Sequence, residues 1–391
     1  MNTNRTDIHK AFLQLVRLGL GTEKDSCFSR LAGSNERPEV ERKFQGPIDW
    51  SAIRTLAEQQ GLYAIVLDGI EKLPASVRPP QEMLLEWIGE VLQGYEYRFE
   101  QYEGAISNLA GFYNSQGFKM MVLKGYACAL NWPKPSHRPC GDIDIWQFGR
   151  QKEADEALIK TNTNLTDRTN SITIDKSHHH HTVFEWGEFT VENHYDFINI
   201  HHLKGNIELE KIFKDLGQDD NHYVEVKSAS TSSATKVYLP SPNLHALFLL
   251  KHMIAHFVGE RITLRQLLDW AFFMKNHGKE VDWKWLESVM NKFGMTTIFN
   301  IFNAICVEDL GFKADIFPLV QFNPSVKDRV FNEILEPEFS EEQPKNLIPR
   351  ISYKFRRWYA NGWKHDLCYK ESRWSAFWNG IWNHMLKPAS I

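Results

Sequence analysis

The residues best placed to do chemistry stand together in Gly141-Asp142-Ile143-Asp144-Ile145. Polar and apolar residues alternate there with the period of a β-strand, and on a strand residues i and i+2 leave the same face. Asp142 and Asp144 should therefore project side by side, with Ile143 and Ile145 turned into a core. Two carboxylates held this close repel each other, and both stay ionised best with a divalent cation between them. Gly141 keeps the approach to the pair open. Oxygen ligands with no cysteine or histidine cluster close by in the chain favour Mg²⁺ or Mn²⁺ over zinc. The competing interpretation is a solvated surface strand, yet Asp is disfavoured in strands and its neighbours here are apolar.

Other residues carry weaker signals. His245, Leu249, His252 and His256 return to one helical stripe. The pair His252 and His256 either lines a cleft or forms a hydrogen-bonded structural element. Met253 stands where a zinc protease of HExxH type needs its glutamate, which excludes that chemistry. Arg265 and Asp269 have the i,i+4 spacing of an intrahelical ion pair. The run His178–His181 alternates faces on a strand, so at most two of the four can share a site, and surface exposure is the expectation. From Arg350 onward Lys354, Arg356, Arg357, Lys364, Lys370, Arg373 and Lys387 are interleaved with Trp358, Trp363, Trp374, Trp378 and Trp382. Four-residue spacing of the last three tryptophans reads first as a packed helix stripe. Peripheral contact with a membrane surface or RNA is the other reading.

Elements must hold these side chains in place. Trp50 to Gln60 has helical spacing and stops at Gly61, and a longer stripe from Met83 to Tyr113 runs through Leu84, Leu85, Ile88, Val91, Leu92, Phe99, Tyr102, Ile106 and Leu109 to a stop at Gly117. Lys119-Met-Met-Val-Leu-Lys-Gly125 reads as a buried strand closed by glycine, followed by a short helix at Tyr126–Leu130. Gln151 to Lys160 reads as a helix. Two strands follow, Thr182–Trp186 and Phe189–Tyr195, turning at Gly187-Glu188. Ser241 suits an N-cap and Pro242 the first helical position, so a helix should run over 242–258. The resulting class is α+β: a helical N-terminal region over 1–115, a small mixed-sheet core over 116–240 and a helical C-terminal domain over 241–391.

Composition narrows the setting. The 391 residues are 42% hydrophobic and 24% charged, the balance of a folded protein, and 13 Trp imply large aromatic surfaces. A net charge of -4 provides no global attraction to nucleic acid, so no stable nucleic-acid partner is expected. Five scattered cysteines without a CxxC indicate neither a disulfide framework nor a zinc ribbon. No apolar run is long enough to span a bilayer and no leader pattern opens the chain, so a cytoplasmic location is expected.

A strand closed by Gly125, a helix, and then a strand carrying Asp-x-Asp resemble the polymerase-β-like nucleotidyltransferase superfamily. Leu123-Lys124-Gly125, Arg138-Pro-Cys-Gly-Asp-Ile-Asp-Ile145 and Val191-Glu-Asn-His-Tyr195 are similar to its bacterial branch of uncharacterised nucleotidyltransferases, over about 80–275. The resemblance implies Mg²⁺- or Mn²⁺-dependent transfer of a nucleoside monophosphate from an NTP such as ATP to a hydroxyl of an unidentified acceptor. It implies three catalytic, metal-holding carboxylates, Asp142, Asp144 and Glu192, with His194 on the face of Glu192. It implies phosphate contacts from Lys124, Gly125 and Arg138, and His194, beside Glu192, and His256, on the helical stripe, are the further candidates for nucleotide contact. The superfamily's usual Gly-Ser or Gly-Gly turn is replaced by Lys124-Gly125-Tyr126, where a lysine would supply by charge what the serine supplies by hydrogen bond. That departure keeps a second reading open, a non-catalytic nucleotide-binding or partner-regulating protein on the same fold.

Overall fold

The computed structural model describes residues 7–22, 48–163, 172–201, 203–227, 234–318, 321–341, 343–344 and 346–378. Cys27, Trp382 and Lys387 lie outside the described residues. The described residues form six strands, β1 (Met121–Val122), β2 (Ile143–Trp146), β3 (His181–Trp186), β4 (Phe189–His194), β5 (Tyr223–Lys227) and β6 (Ala234–Tyr238), in the order β3-β4-β2-β1-β6-β5. β2 runs parallel to β4 and β1 parallel to β6, and the remaining neighbours are antiparallel. The mixed sheet and its helical flanks make the fold α+β, as the sequence reading expected.

Helices α1 (Asp7–Leu20), α2 (Trp50–Gln59), α3 (Tyr63–Glu71), α4 (Gln81–Glu90) and α5 (Arg98–Ser115) precede the sheet. Helices α6 (Tyr126–Ala129), α7 (Gln151–Thr163) and α8 (Asn206–Leu216) lie among its strands. After it come α9 (Pro242–Gly259), α10 (Leu264–His277), α11 (Trp283–Phe293), α12 (Thr296–Glu308), α13 (Pro324–Leu335), α14 (Leu347–Ala360) and α15 (Gly362–Cys368).

Strand alternation divides the interior into two cores. Val122, Ile143, Ile145 and Val191 pack with Phe99, Ile106 and Leu109 of α5 and Leu158 of α7. Met121, Leu123 and Trp146 leave the opposite face and join a larger cluster that holds α1 to α3 together with α9 to α13. The two helical ends of the chain are thus stitched together. Arg17 Nε donates to the Asp309 carbonyl at 2.8 Å. The buried Gln60 amide donates to the Ile334 carbonyl at 3.1 Å and accepts from the Leu264 amide at 3.0 Å. Asp144, on the same face as Trp146, is thereby aimed at the seam between sheet and helices.

Three expectations need correction. The long N-terminal stripe is broken by a π-helical stretch, Val91–Tyr97, between α4 and α5. Its buried positions, Trp87, Val91 and Phe99 with half-buried Tyr95 between them, repeat every four residues, more than an α-turn holds, and the wider i→i+5 turn absorbs the drift. Leu85 and Leu92 consequently face solvent. Ser241 does occupy the N-cap of α9, but its side chain makes no capping hydrogen bond. Trp374 and Trp378 are exposed rather than packed over a stripe, although Trp374 does touch Trp358 with ring centroids 5.0 Å apart. No helix among the described residues is long and apolar enough to cross a membrane.

Helices α1 and α3 meet at backbone distance. A Cβ at Gly69 would lie 2.2 Å from the Leu15 carbonyl oxygen, and one at Gly19 would lie 2.0 Å from that of Ile65. Alanine in an open helix position gains up to about 1 kcal/mol over glycine. Here the overlap reverses the sign: Gly69→Ala is expected to cost about 1–3 kcal/mol, read as a lowered urea midpoint, and an unchanged or raised midpoint would contradict this packing.

Candidate active site

The loop from β1 to α6 and the loop into β2 are clamped together. Gly125 has φ +50, and a Cβ there would lie 2.3 Å from the Tyr102 hydroxyl oxygen and 3.3 Å from the Asp142 carbonyl. Only glycine leaves room for the Tyr102 hydroxyl to donate to the Asp142 carbonyl at 2.8 Å. The Leu123 amide also donates to the Asp144 carbonyl, at 3.0 Å. Lys124 is so brought over the acidic strand.

Asp144 is buried and takes both of its charged contacts from cations. Lys124 Nζ stands 2.8 Å from Oδ1 and the His194 Nε2–H donates to the same oxygen at 3.1 Å. Burial alone would raise this carboxyl's pKa, but the Lys124 charge and the His194 hydrogen bond drive it far below the usual range. Burial would likewise discharge His194, yet its hydrogen bonds to Asp144 and Glu192 push it up to about 9. Its Nδ1–H donates to the Asp196 carbonyl at 3.2 Å, so both ring nitrogens act as donors. Lys124 is raised, the charges of Asp144 and Asp142 overcoming desolvation.

The parallel register sets Asp144 opposite Glu192 and Trp146 opposite His194. Asp144, Glu192 and His194 each offer a ligand atom within 4.8 Å of the others. Asp142 stands just before β2, exposed at the cleft mouth, and is not part of that tightest set. Its carboxylate has no ion pair and no hydrogen bond to another residue among the described residues, and desolvation followed by the negative charge of Asp144 raises its pKa. Val191 and Asn193 turn to the other face as the strand period requires, Asn193 donating to Asp155 at 2.8 Å. The histidine run departs from expectation. His178 is exposed, but His181 is buried with Nε2 3.7 Å from Glu192, and both His180 and His181 line the cleft. His181 pairs with His194 across the hairpin, which draws the run inward.

A cavity of about 730 Å³ opens between this acidic strand edge and helices α9 and α10. Arg138 lines it but does not present a free charge. Its Nε and Nη2 donate to the two carboxylate oxygens of Asp269 at 2.8 and 3.0 Å, and Trp132 Nε1 adds a third bond at 2.8 Å. The expected Arg265–Asp269 ion pair is therefore absent, because Arg138 reaches the carboxylate bidentately and Arg265 is left to the cavity. Burial and the nearby charge of Arg138 lower the Arg265 pKa, and its guanidinium has no hydrogen-bond acceptor among the described residues. His252 and His256 both line the cavity, with His256 Nδ1 3.1 Å from Glu260.

Lys251 was missed by the sequence reading. It is a lone cation inside the apolar run Leu247-Phe-Leu-Leu-Lys-His-Met-Ile254, and that contrast was its available signal. It is buried at 4% exposure, lines the cavity, sits 4.8 Å over the Tyr369 ring, and has no anionic partner among the described residues. Burial lowers its pKa to about 8 from an ordinary 10.5. The folded chain thus binds fewer protons than the unfolded chain between those two values, so stability rises with pH over that window. Lys251→Met is expected to be more stable than wild type at pH 7, by up to about 3 kcal/mol, with the gap closing by pH 10.5. Denaturation midpoints across pH check this; a gap that does not vary with pH would contradict the buried charge.

A family model described as uncharacterised nucleotidyltransferase matches residues 46–311. No curated protein and no solved structure matches the chain. The matched span runs from before α2 to beyond α12 and contains all the cleft residues from Lys124 to Asp269. Covering well over half of the chain, it identifies this protein as a member of the uncharacterised nucleotidyltransferase family.

Proposed function

We propose that the chain transfers a nucleoside monophosphate from an NTP to a hydroxyl of an acceptor molecule in a reaction that depends on Mg²⁺ or Mn²⁺. The observation that supports this most is the opposition of charges across one cavity. Asp142, Asp144 and Glu192 lie on one wall, and Lys251 and Arg265, cations with no carboxylate bound to them among the described residues, lie on the other. A triphosphate with its counter-ions needs both.

Three hard carboxylates fit Mg²⁺ or Mn²⁺, with Asp142, Asp144 and Glu192 as holders. When bound, the metal would supply charge neutralisation at the phosphates and activation of the attacking hydroxyl. Lys124 and His194 keep Asp144 ionised and oriented. Glu192, whose pKa is lowered against its burial chiefly by the His194 hydrogen bond, is placed to accept the hydroxyl proton. Lys251 and Arg265 take the phosphate-binding role that the sequence reading gave to Arg138. Arg138 acts instead through Asp269, tying the loop before β2 to α10. His256 stays at the cavity wall as a nucleotide contact. The second reading, nucleotide binding without transfer, draws on Asp144 being already engaged by two cations.

Pyrophosphate release from ATP, CTP, GTP and UTP across a panel of hydroxyl acceptors, with Mg²⁺ or Mn²⁺, tests the proposal. At least one pair is expected to react, with Asp144→Asn reducing turnover about 100-fold or more. Arg265→Gln is expected to raise the KM for the nucleotide about tenfold or more, the scale of one lost charge-assisted contact. Nucleotide binding without release for every pair would favour the second reading, and absence of nucleotide binding would contradict both.

A further inference from the structure

Beside the carboxylate wall stands a second group of donors of different chemistry. His180, His181 and His194 each offer a ring nitrogen, and these lie within 4.8 Å of one another. Ring centroids are 4.3 Å apart for His180 and His181, 5.5 Å for His180 and His194, and 5.2 Å for His181 and His194. Within this buried corner His180 Nδ1 and both nitrogens of His181 make no hydrogen bond among the described residues. Buried imidazole nitrogens are ordinarily paired, so three in one corner call for a partner.

We infer that His180, His181 and His194 form a nitrogen-ligand site for a borderline divalent ion of the zinc class, distinct in its donors from the carboxylate site and adjoining it through His194 and Glu192. Three imidazoles are a recurrent zinc set that leaves one open position. Metal–nitrogen bonds of about 2.0–2.1 Å require ligand nitrogens roughly 3.3 Å apart, so small side-chain rotations close the group. The outer contacts suit it. The Asp196 carbonyl accepts from His194 Nδ1 at 3.2 Å, the arrangement that orients a metal-binding imidazole and leaves Nε2 for the ion. Glu192 lies 3.6 Å from His194 Nε2 and 3.7 Å from His181 Nε2, within reach of the open position. An ion on His194 Nε2 replaces the proton now shared with Asp144 and releases it to solvent. Zinc-class binding therefore loosens the hold on Asp144 and couples the two sites.

Titration of the metal-stripped, nucleotide-free chain with Co²⁺, followed by displacement with Zn²⁺, tests the site. One equivalent is expected to give the intense visible absorption of low-coordinate cobalt and to survive excess Mg²⁺. His180→Ala and His181→Ala are each expected to weaken binding at least tenfold, whereas His178→Ala with His179→Ala, and separately Asp142→Ala, leave it unchanged. Loss in the His178/His179 variant with retention in the other two would overturn the site and show a histidine run acting as a simple chelator. Should the alanine variants fold poorly, anomalous scattering from a zinc-soaked crystal of the unaltered chain decides: density among the three imidazoles supports the site, and density elsewhere or none overturns it. None of these readouts requires nucleotide transfer, so they stand or fall separately from the proposed activity.

Discussion

The buried Asp144 carboxylate, held between Lys124 and His194, is the interaction on which the rest of the site depends. A charge at this depth is tolerable only when paired, and removing one partner of such a group commonly costs about 3–5 kcal/mol. The pairing dictates much around it. Lys124 must arrive over β2, which requires the positive φ of Gly125 and the Tyr102 clamp onto the Asp142 loop. His194 must lie beside it, which the parallel β2–β4 register ensures. A charge network bought at that energetic cost is more readily understood as a preorganised site than as a stabilising device.

The second constraint is the seam between the two cores. The sheet sends Ile143, Ile145 and Val191 one way and Asp144, Trp146 and His194 the other, so the acidic edge faces the helical cluster and not a core of its own. The Arg138–Asp269 bridge, buried and bidentate, spans that seam from the loop before β2 to α10. By occupying Asp269 it leaves Arg265 lining the cavity, so one ion pair both joins the walls and sets which cation remains there. The family match over residues 46–311 spans the strands and the helices α9 and α10 that form both walls.

What was legible in the sequence was mostly short in range. The strand period of Ile143-Asp-Ile145, the Gly187-Glu188 turn and the Pro242 start of α9 follow from neighbours a few residues apart, and the structure has them, with β2 beginning one residue after Asp142. Competition between distant residues was not legible. Arg265 and Asp269 looked like partners because they are four apart, but Arg138, 131 positions from Asp269 in sequence, has the better geometry. His181 looked exposed within a polar run, yet cross-strand pairing with His194 buries it. The π-helical stretch was hidden because its buried positions fit a helical stripe closely enough to pass for a continuous α-helix.

Electron paramagnetic resonance of Mn²⁺, titrated into the wild-type chain and into Asp144→Asn with a non-hydrolysable NTP present, bears most directly on this account. Manganese is predicted to bind the wild type in a nucleotide-dependent manner and to be lost, or weakened at least tenfold, in the variant. Equal binding by both chains, or binding indifferent to nucleotide, would contradict Asp144 as the centre of a nucleotidyl-transfer site.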